Sequence, residues 1–388
     1  MKIALALEHF DPMHGGAERY ACALAAWLVE RGCTIEIFCR RYAPEQAARF
    51  TIHRLADRRG WGESSQTCFA RELAAALEGR EFDVVHGFNH VRPADIMMLH
   101  GGAHRAFERA NAASAPTRLG RVMKRFFYRI APRYSALRRN ELAQFSDPHA
   151  FFLGVSEKVA ADMRRLYPAA AERISVVRLG IDGSRFSPDR RAALREESRA
   201  ALGFSSADRV LLFMAHNYRL KGLWDLLDAM VEVTRSDPGI RLLVVGRGKS
   251  GRYRVRAKVL GVADHVCFAG PMREPMHGYA AADALVHPTY YDACATVCLE
   301  AMACGLPVAT SRNNGASAYL EDGVGGVLFE MPCSRGVLGR ALTRVLTDEI
   351  RAAALRDNPE RIRPWTPERS FSEVLACYRR RSSATAVD

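Results

Sequence analysis

The sequence predicts an α/β protein of two domains, each a parallel sheet with helices on both faces, and a ligand cleft between them. Two observations carry this. Short apolar runs alternate with longer amphipathic stretches along the whole chain, which is the pattern of parallel strands joined by helical crossovers. At roughly 100–200 residues per domain, 388 residues make two domains. The rhythm pauses at Val177–Arg190, a loop-like stretch that places the boundary there.

In the first half the apolar runs read as strands at Lys2–Leu7, Thr34–Cys39, Asp83–His86, Asp95–Leu99 and Phe151–Gly154. A helix over Gly16–Arg31 joins the first two, and Gly32 is placed to stop it. In the second half strands fall at Arg209–Met214, Arg241–Val245, Val266–Ala269, Ala284–His287, Pro307–Ala309 and Gly326–Phe329. A last helix spans about Thr366–Arg381. In folds of this kind ligands bind beyond the carboxyl ends of the strands, so the loops after strands are where function is sought.

Composition narrows the classes. With 48% hydrophobic and 26% charged residues, the chain is globular rather than disordered or collagenous. No apolar run is long enough for a transmembrane helix. The first strand is broken by Glu8 and lacks a small-residue cleavage site, so it does not read as a signal peptide. Ten cysteines form no CxxC pair, and free thiols are expected. The net charge is +13, and most of it sits in one place. Between Gly101 and Phe145 lie ten basic residues (Arg118, Arg121, Lys124, Arg125 and Arg129 among them) against Glu108 and Glu141, a net +8. Such a segment attracts polyanions: an anionic membrane or nucleic acid.

Four strand-end loops carry residues suited to chemistry. Gly15 and Gly16 precede the first helix. Either they let backbone N–H groups approach an anion at a helix N-terminus, or they serve a turn that needs positive φ. Asn89 and four histidines, His86, His90, His100 and His104, crowd one short stretch; they line a polar cleft, hold a metal, or lie on the surface. Arg219 and Lys221 sit between a strand and a helix, a position suited to a diphosphate or to a solvated basic turn. Asp292 and Glu300 are eight residues apart, the first on a loop and the second in the following helix; two such acids suit a sugar and a ribose diol. The run Gly246–Gly251 matches GxGxxG, but it lies mid-chain and the next acid is Asp264, so it does not read as a dinucleotide fingerprint.

The GGAE loop, the Arg219/Lys221-Gly loop, the AADALVHP segment and the acid-x7-Glu element occur in that order. The chain thereby resembles, over nearly its whole length, the retaining GT-B glycosyltransferases of family 4. The stretches GFNHVRPADIMMLHGGAHRAF and HPTYYDACATVCLEAMACGLPV look most similar to the lipopolysaccharide-core branch, which glucosylates inner-core heptose. The resemblance implies a GT-B fold: two Rossmann-like domains with parallel sheets facing across a cleft. It implies an acceptor domain over 1–177 with the basic segment 101–145 on a membrane, a nucleotide-sugar domain over 178–365, and a helix over 366–388 that crosses back to the first domain.

By the same resemblance, Gly15, Gly16, Arg178, Arg219, Lys221, Asp292, Ala295, Thr296 and Glu300 bind the donor, with Asp292, Arg219 and Lys221 serving catalysis, Arg219 and Lys221 on the diphosphate and Glu300 on the ribose. His86, Asn89, His100 and His104 lie on the acceptor side. The donor is a UDP-hexose used as co-substrate, with glucose as the expected sugar. No cofactor is expected and, since Asp-x-Asp is absent, no metal clamp. The implied partners are the nucleotide sugar, a lipid-linked glycan and an anionic membrane surface, not nucleic acid, and the implied location is cytoplasmic, peripheral on the inner face of the cell membrane. Two departures bear on the sugar: Asp292 stands where the family usually has Glu, and Ala295 where it often has Gly. The alternative of another class is a non-catalytic membrane or nucleic-acid binder, in which Phe126, Phe127 and Tyr128 stack among the arginines.

Overall fold

The computed structural model describes residues 1–59 and 64–385. The chain divides into two compact units. One comprises residues 1–108, 123–179 and the C-terminal stretch from 368; the other comprises 109–122 and 180–367. The boundary falls at Leu179/Gly180, and 109–122, expected in the first domain, groups with the second. Nothing in the sequence separates it, because it runs through two continuous helices.

The first unit is a seven-stranded sheet. Its strands are β1 (Lys2–Ala6), β2 (Thr34–Cys39), β3 (Thr51–Arg54), β4 (Val84–Phe88), β5 (Ile96–Leu99), β6 (Phe151–Gly154) and β7 (Ile174–Val176). The spatial order is β3-β2-β1-β4-β5-β6-β7, parallel throughout. The central strands are apolar on both faces and fully buried, as Ile3, Ala4, Leu5 and Ala6 show. The edge strands β3 and β7 do not show in the sequence: Thr51-Ile-His-Arg54 is half exposed and too polar to stand out. One core cluster joins Ala4, Ala6 and Phe38 to Phe69 and Leu73 of helix α2 (Ser65–Leu77). Ser64 caps α2, accepting the Thr67 N–H at 3.1 Å, a contact that contributes about 1 kcal/mol.

Helices α1 (Gly16–Val29), which follows β1, α5 (Pro132–Ser146) and α6 (Glu157–Leu166) belong to this unit, whereas α3 (His104–Ala113) and α4 (Arg118–Ile130) are each divided between the two units. The C-terminal helix, residues 367–385, packs on this unit from its first turn onward: Tyr20 Oη and Ser370 Oγ lie 2.8 Å apart, and Arg381 reaches Asp95 at 3.5 Å.

The second unit holds six strands: β8 (Arg209–Met214), β9 (Ile240–Val245), β10 (Val266–Gly270), β11 (Ala284–His287), β12 (Val308–Ser311) and β13 (Gly326–Phe329). Their order is β10-β9-β8-β11-β12-β13, again parallel. Helix α7 (Pro188–Leu202) leads into β8, and α8 (Leu223–Ser236) and α9 (Gly251–Val259) follow β8 and β9. Leu223, Leu226, Leu227, Met230 and Val233 recur at helical spacing and bury the inner face of α8. Helix α10 (Met276–Ala281) packs on α7, and α11 (Thr296–Ala303) packs on α13 (Asp348–Ile362), while α8 packs on α9 and α12 (Arg335–Val345). Right-handed crossovers put the helices leaving β8 and β9 on one face and those bracketing β11 on the other. The topological switch therefore lies between β8 and β11, where open α/β sheets bind ligands.

Candidate donor site at the switch between β8 and β11

The loop after β8 turns tightly before α8. Lys221 N–H bonds the Asn217 carbonyl at 3.0 Å, and Gly222 N–H bonds that of Arg219 at 3.2 Å. Gly222 is required there: its φ is +81°, and a Cβ would lie 2.0 Å from the Pro288 carbonyl oxygen. That approach brings the loop after β11 alongside, and the Tyr290 N–H bonds the Leu220 carbonyl at 2.9 Å.

The two loops meet in an ion pair. Lys221 Nζ donates to Asp292 Oδ2 at 2.5 Å and to the Tyr291 carbonyl at 3.0 Å. His287 Nε2 lies 3.1 Å from the same Asp292 oxygen. The side chains of Lys221 and Asp292 are 18% and 16% exposed, and that of His287 is 2% exposed. Burial alone raises the Asp292 pKa, but the Lys221 charge and the His287 hydrogen bond outweigh it and hold the carboxyl well below its usual range. Burial lowers the His287 pKa against the opposing pull of Asp292. The carboxylate stays charged, and Lys221 keeps one of its three N–H donors free of these two bonds.

Asn314, fully buried, fixes the stretch between Asp292 and α11. Its Oδ1 accepts from the N–H groups of Ala295 and Ala316, both at 3.0 Å, and its Nδ2 donates to Thr310 at 3.1 Å. Ala295 is the N-cap of α11 and Thr296 its first residue, so the helix N-terminus opens beside Asp292, a polarity suited to an anion. Glu300, further along α11, is buried, and its Oε2 accepts from Tyr279 Oη at 2.6 Å. Sequence reasoning misses His287, Tyr279 and Asn314; the turn signal Asn313-Asn314-Gly315 is the one available pointer to Asn314.

Arg219 and Lys221, expected together on one diphosphate, have different neighbours. Residues two apart on a helical turn face opposite ways. Lys221 turns to Asp292, while the Arg219 guanidinium lies 5.7 Å from the Trp224 ring. Arg178, expected on the donor, falls in the first unit and meets Glu157 at 3.3 Å.

In the first unit a cavity of about 290 Å³ opens beyond β1 and β4. Glu8, His9, His14, Glu18, Asn89 and His90 line it. His9 and His14 stack at 4.0 Å. Asn89 has φ of +60°, the one non-glycine residue with positive φ among the described residues, and its side chain accepts the Gly101 N–H at 2.7 Å. Of the four acceptor-side residues expected, Asn89 alone lines this cavity. His86 is fully buried, stacks on Phe88 at 4.4 Å and bonds Tyr378. His100 packs between Tyr20 and Phe88. His104 meets Glu108 at 3.0 Å. His86 is thus a core residue on a buried strand, where its imidazole packs as an aromatic ring, His100 is a half-buried turn residue packed on aromatic rings, and His104 starts a helix. Sequence reasoning also misses Glu8, His9, His14 and Glu18, although they flank Gly15 and Gly16. Neither glycine has positive φ; Gly15 is extended, and a Cβ on Gly16 would meet nothing, which favours the open approach over the strained turn. Among the described residues no three His, Cys, Asp or Glu side chains form a set that could hold a metal.

Known proteins match along the same lines. The Glycosyltransferase Family 4 model matches residues 14–185, and the Glycosyl transferases group 1 model matches 195–361. Lipopolysaccharide glucosyltransferase WaaG of Escherichia coli is 25% identical over 92% of this chain and 93% of its own. The crystal structure of WaaG covers 95% of this chain and 98% of its own at a TM-score of 0.75 and 24% identity. D-inositol 3-phosphate glycosyltransferase of Saccharomonospora viridis is 33% identical over 60% of this chain, which spans 56% of that protein. Anabaena Alr3699/HepE, solved in complex with UDP-glucose, covers 97% of this chain and 100% of its own at a TM-score of 0.70 and 18% identity. With one family model on each sheet and a relative matched over 92% of the chain, the chain belongs to the GT-B glycosyltransferases, a family 4 domain followed by a group 1 domain.

Proposed function

We propose that this glycosyltransferase moves glucose from UDP-glucose onto a lipid-linked glycan of the lipopolysaccharide-core type, with retention of anomeric configuration and without a metal ion. The observation that carries the reading is the charged Lys221–Asp292–His287 cluster at the switch between β8 and β11, in a chain matched over 92% of its length by a lipopolysaccharide glucosyltransferase. UDP-glucose as donor rests on that relative and on the UDP-glucose held by the Anabaena structure.

In this reading Asp292 accepts hydrogen bonds from hydroxyls of the donor sugar. The remaining Lys221 N–H and the α11 N-terminus meet the charge that develops on departing UDP, and Glu300, fixed by Tyr279, takes the ribose hydroxyls. The acceptor sugar occupies the cavity between Glu8 and Asn89. Its hydroxyl attacks from the face the diphosphate leaves, and the departing phosphate removes the proton.

The lipid-linked acceptor calls for a membrane, and α4 supplies a face for one. Leu119, Val122, Met123, Phe126, Phe127 and Ile130 recur on one side and are each 54–69% exposed. Arg118, Arg121, Lys124, Arg125 and Arg129 accompany them. Polybasic segments gain about 1 kcal/mol per cation at anionic lipid, and an apolar stripe adds burial in the interface. Tyr128 is buried and so cannot stack on bases, which favours lipid over nucleic acid. No helix among the described residues is long and apolar enough to cross a membrane.

The test is turnover of UDP-glucose, UDP-galactose and GDP-mannose on heptose-terminated lipopolysaccharide core, with and without EDTA, the product's anomeric coupling being read by NMR. UDP-glucose should be used best, with α-retention and no loss in EDTA. An inverted product, loss in EDTA or no use of any UDP-hexose overturns the reading. On vesicles, binding should rise with anionic lipid and fall with salt; equal binding to neutral vesicles contradicts the membrane role.

A further inference from the structure

The run Gly246–Gly251, which no step above uses, is pressed against the loop that follows β8. Gly246 has φ of +135°, and a Cβ there would lie 1.8 Å from the Ala215 carbonyl oxygen; Tyr218 Oη donates to the Gly246 carbonyl at 3.0 Å. The two loops border an open cavity of about 670 Å³ beyond β8 and β9. Its lining includes Tyr218 and Tyr253 and four basic residues, His216, Arg219, Lys249 and Arg252.

Arg219 is the unusual member. All three of its guanidinium nitrogens are shielded from solvent, and none is hydrogen-bonded. A shielded guanidinium without hydrogen-bond partners is costly, and the Trp224 ring 5.7 Å away offers it no acceptor. The neighbouring acids do not satisfy it. Asp225 spends one oxygen on Tyr290 Oη at 3.0 Å, and its other oxygen is buried and unbonded; Asp228 pairs with Arg256 at 2.6 Å. Arg252 donates to Tyr253 Oη at 2.8 Å, and Lys249 is exposed. Helix α9 starts here with no side chain capping its first turn.

We propose that this cavity is a second anion site, which binds a phosphorylated small molecule, a sugar phosphate or a nucleotide, separately from the donor. The guanidinium of Arg219, the ammonium of Lys249 and the first turn of α9 form the phosphate end. The Tyr218 and Tyr253 rings suit the flat face of a sugar or base. The site is one strand removed from the β8–β11 switch, and neither Lys221 nor Asp292 lines it.

The experiment uses the full chain saturated with UDP, titrated by calorimetry with inorganic phosphate, glucose 6-phosphate and adenosine monophosphate. Wild type should bind one of the two esters more tightly than phosphate, and which one it binds identifies the source. In Lys249→Glu/Arg252→Glu, whose side chains are exposed and whose loss should spare folding, that affinity should fall about tenfold or more while UDP affinity stays unchanged. Arg219→Met should weaken the ester as well. Absence of ester binding to wild type at millimolar concentration, exclusion of the ester by UDP, or a matching loss of UDP affinity in the double variant overturns the proposal.

Discussion

Two strands each carry a Val-His pair: Val85-His86 in β4 and Val286-His287 at the end of β11. Both histidines are buried and both are driven toward the neutral form. Their partners differ. His86 meets the phenol of Tyr378 and the Phe88 ring, and burial pushes its pKa down to about 3. His287 meets a carboxylate that is itself paired to Lys221. The first is an aromatic core residue with one polar contact; the second holds a charge in place at the switch between β8 and β11, where the donor is proposed to bind. What sets this buried imidazole apart is the charged partner, brought here by the loop that follows β11 and held by Lys221 from the loop after β8.

The comparison extends along β11, and the largest expected effect lies at its other end. Asp283, just before the strand, is 4% exposed and is held by Arg195 at 2.6 Å, Arg199 at 3.3 Å and the Val210 N–H at 2.8 Å. Asp283→Ala leaves buried arginine charge uncompensated and should cost about 3–5 kcal/mol of stability, read by urea denaturation, with KM for donor unchanged in the folded fraction. A change in KM with no change in stability would mean that this charge serves the site too.

Next in size, Asp292→Asn should lower kcat about 10²–10³-fold, the scale of losing one preorganised electrostatic contact, with little change in melting temperature. If the amide variant turned over like wild type, the His287 cluster would be reduced to another core contact.

Two shielded histidines give the smaller effect. For His86 and His100 the folded pKa, about 3, lies below the unfolded value near 6.5. Their contribution to stability is therefore complete above about pH 6.5 and is lost as pH falls toward 3, because the unfolded chain takes up protons that the fold refuses. At pH 5 that loss is about 2 kcal/mol for each. His100→Phe keeps the ring and removes the titration, so it should flatten the decline between pH 7 and 5 by about that amount, measured by hydrogen exchange in the first unit. A decline as steep as wild type would contradict the shielding of His100 by Tyr20 and Phe88.

The strands were legible because central parallel strands are continuous apolar runs; β2, β6, β8, β11 and β13 match their expected bounds to the residue. The edge strands β3 and β7 were not, since half-exposed strands carry polar residues. The loops that build the site were legible as glycine, acid and base after a strand. Their pairing was not. Lys221 and Asp292 are 71 residues apart, and no local pattern says that Lys221 turns to that carboxylate while Arg219, two residues earlier, turns to Trp224. The histidine stretch misled for the converse reason, since spacing in sequence does not distinguish an imidazole facing a cavity from one packed on phenylalanine.

The central claim is that Lys221, held by Asp292 at the switch between β8 and β11, is the cation that meets the donor's diphosphate. Calorimetric titration of UDP into wild type and Lys221→Met tests it most directly. A charge-assisted contact of about 1.5–3 kcal/mol predicts that the UDP Kd rises about 10–100-fold in the variant. An unchanged Kd in a variant that melts like wild type would contradict it.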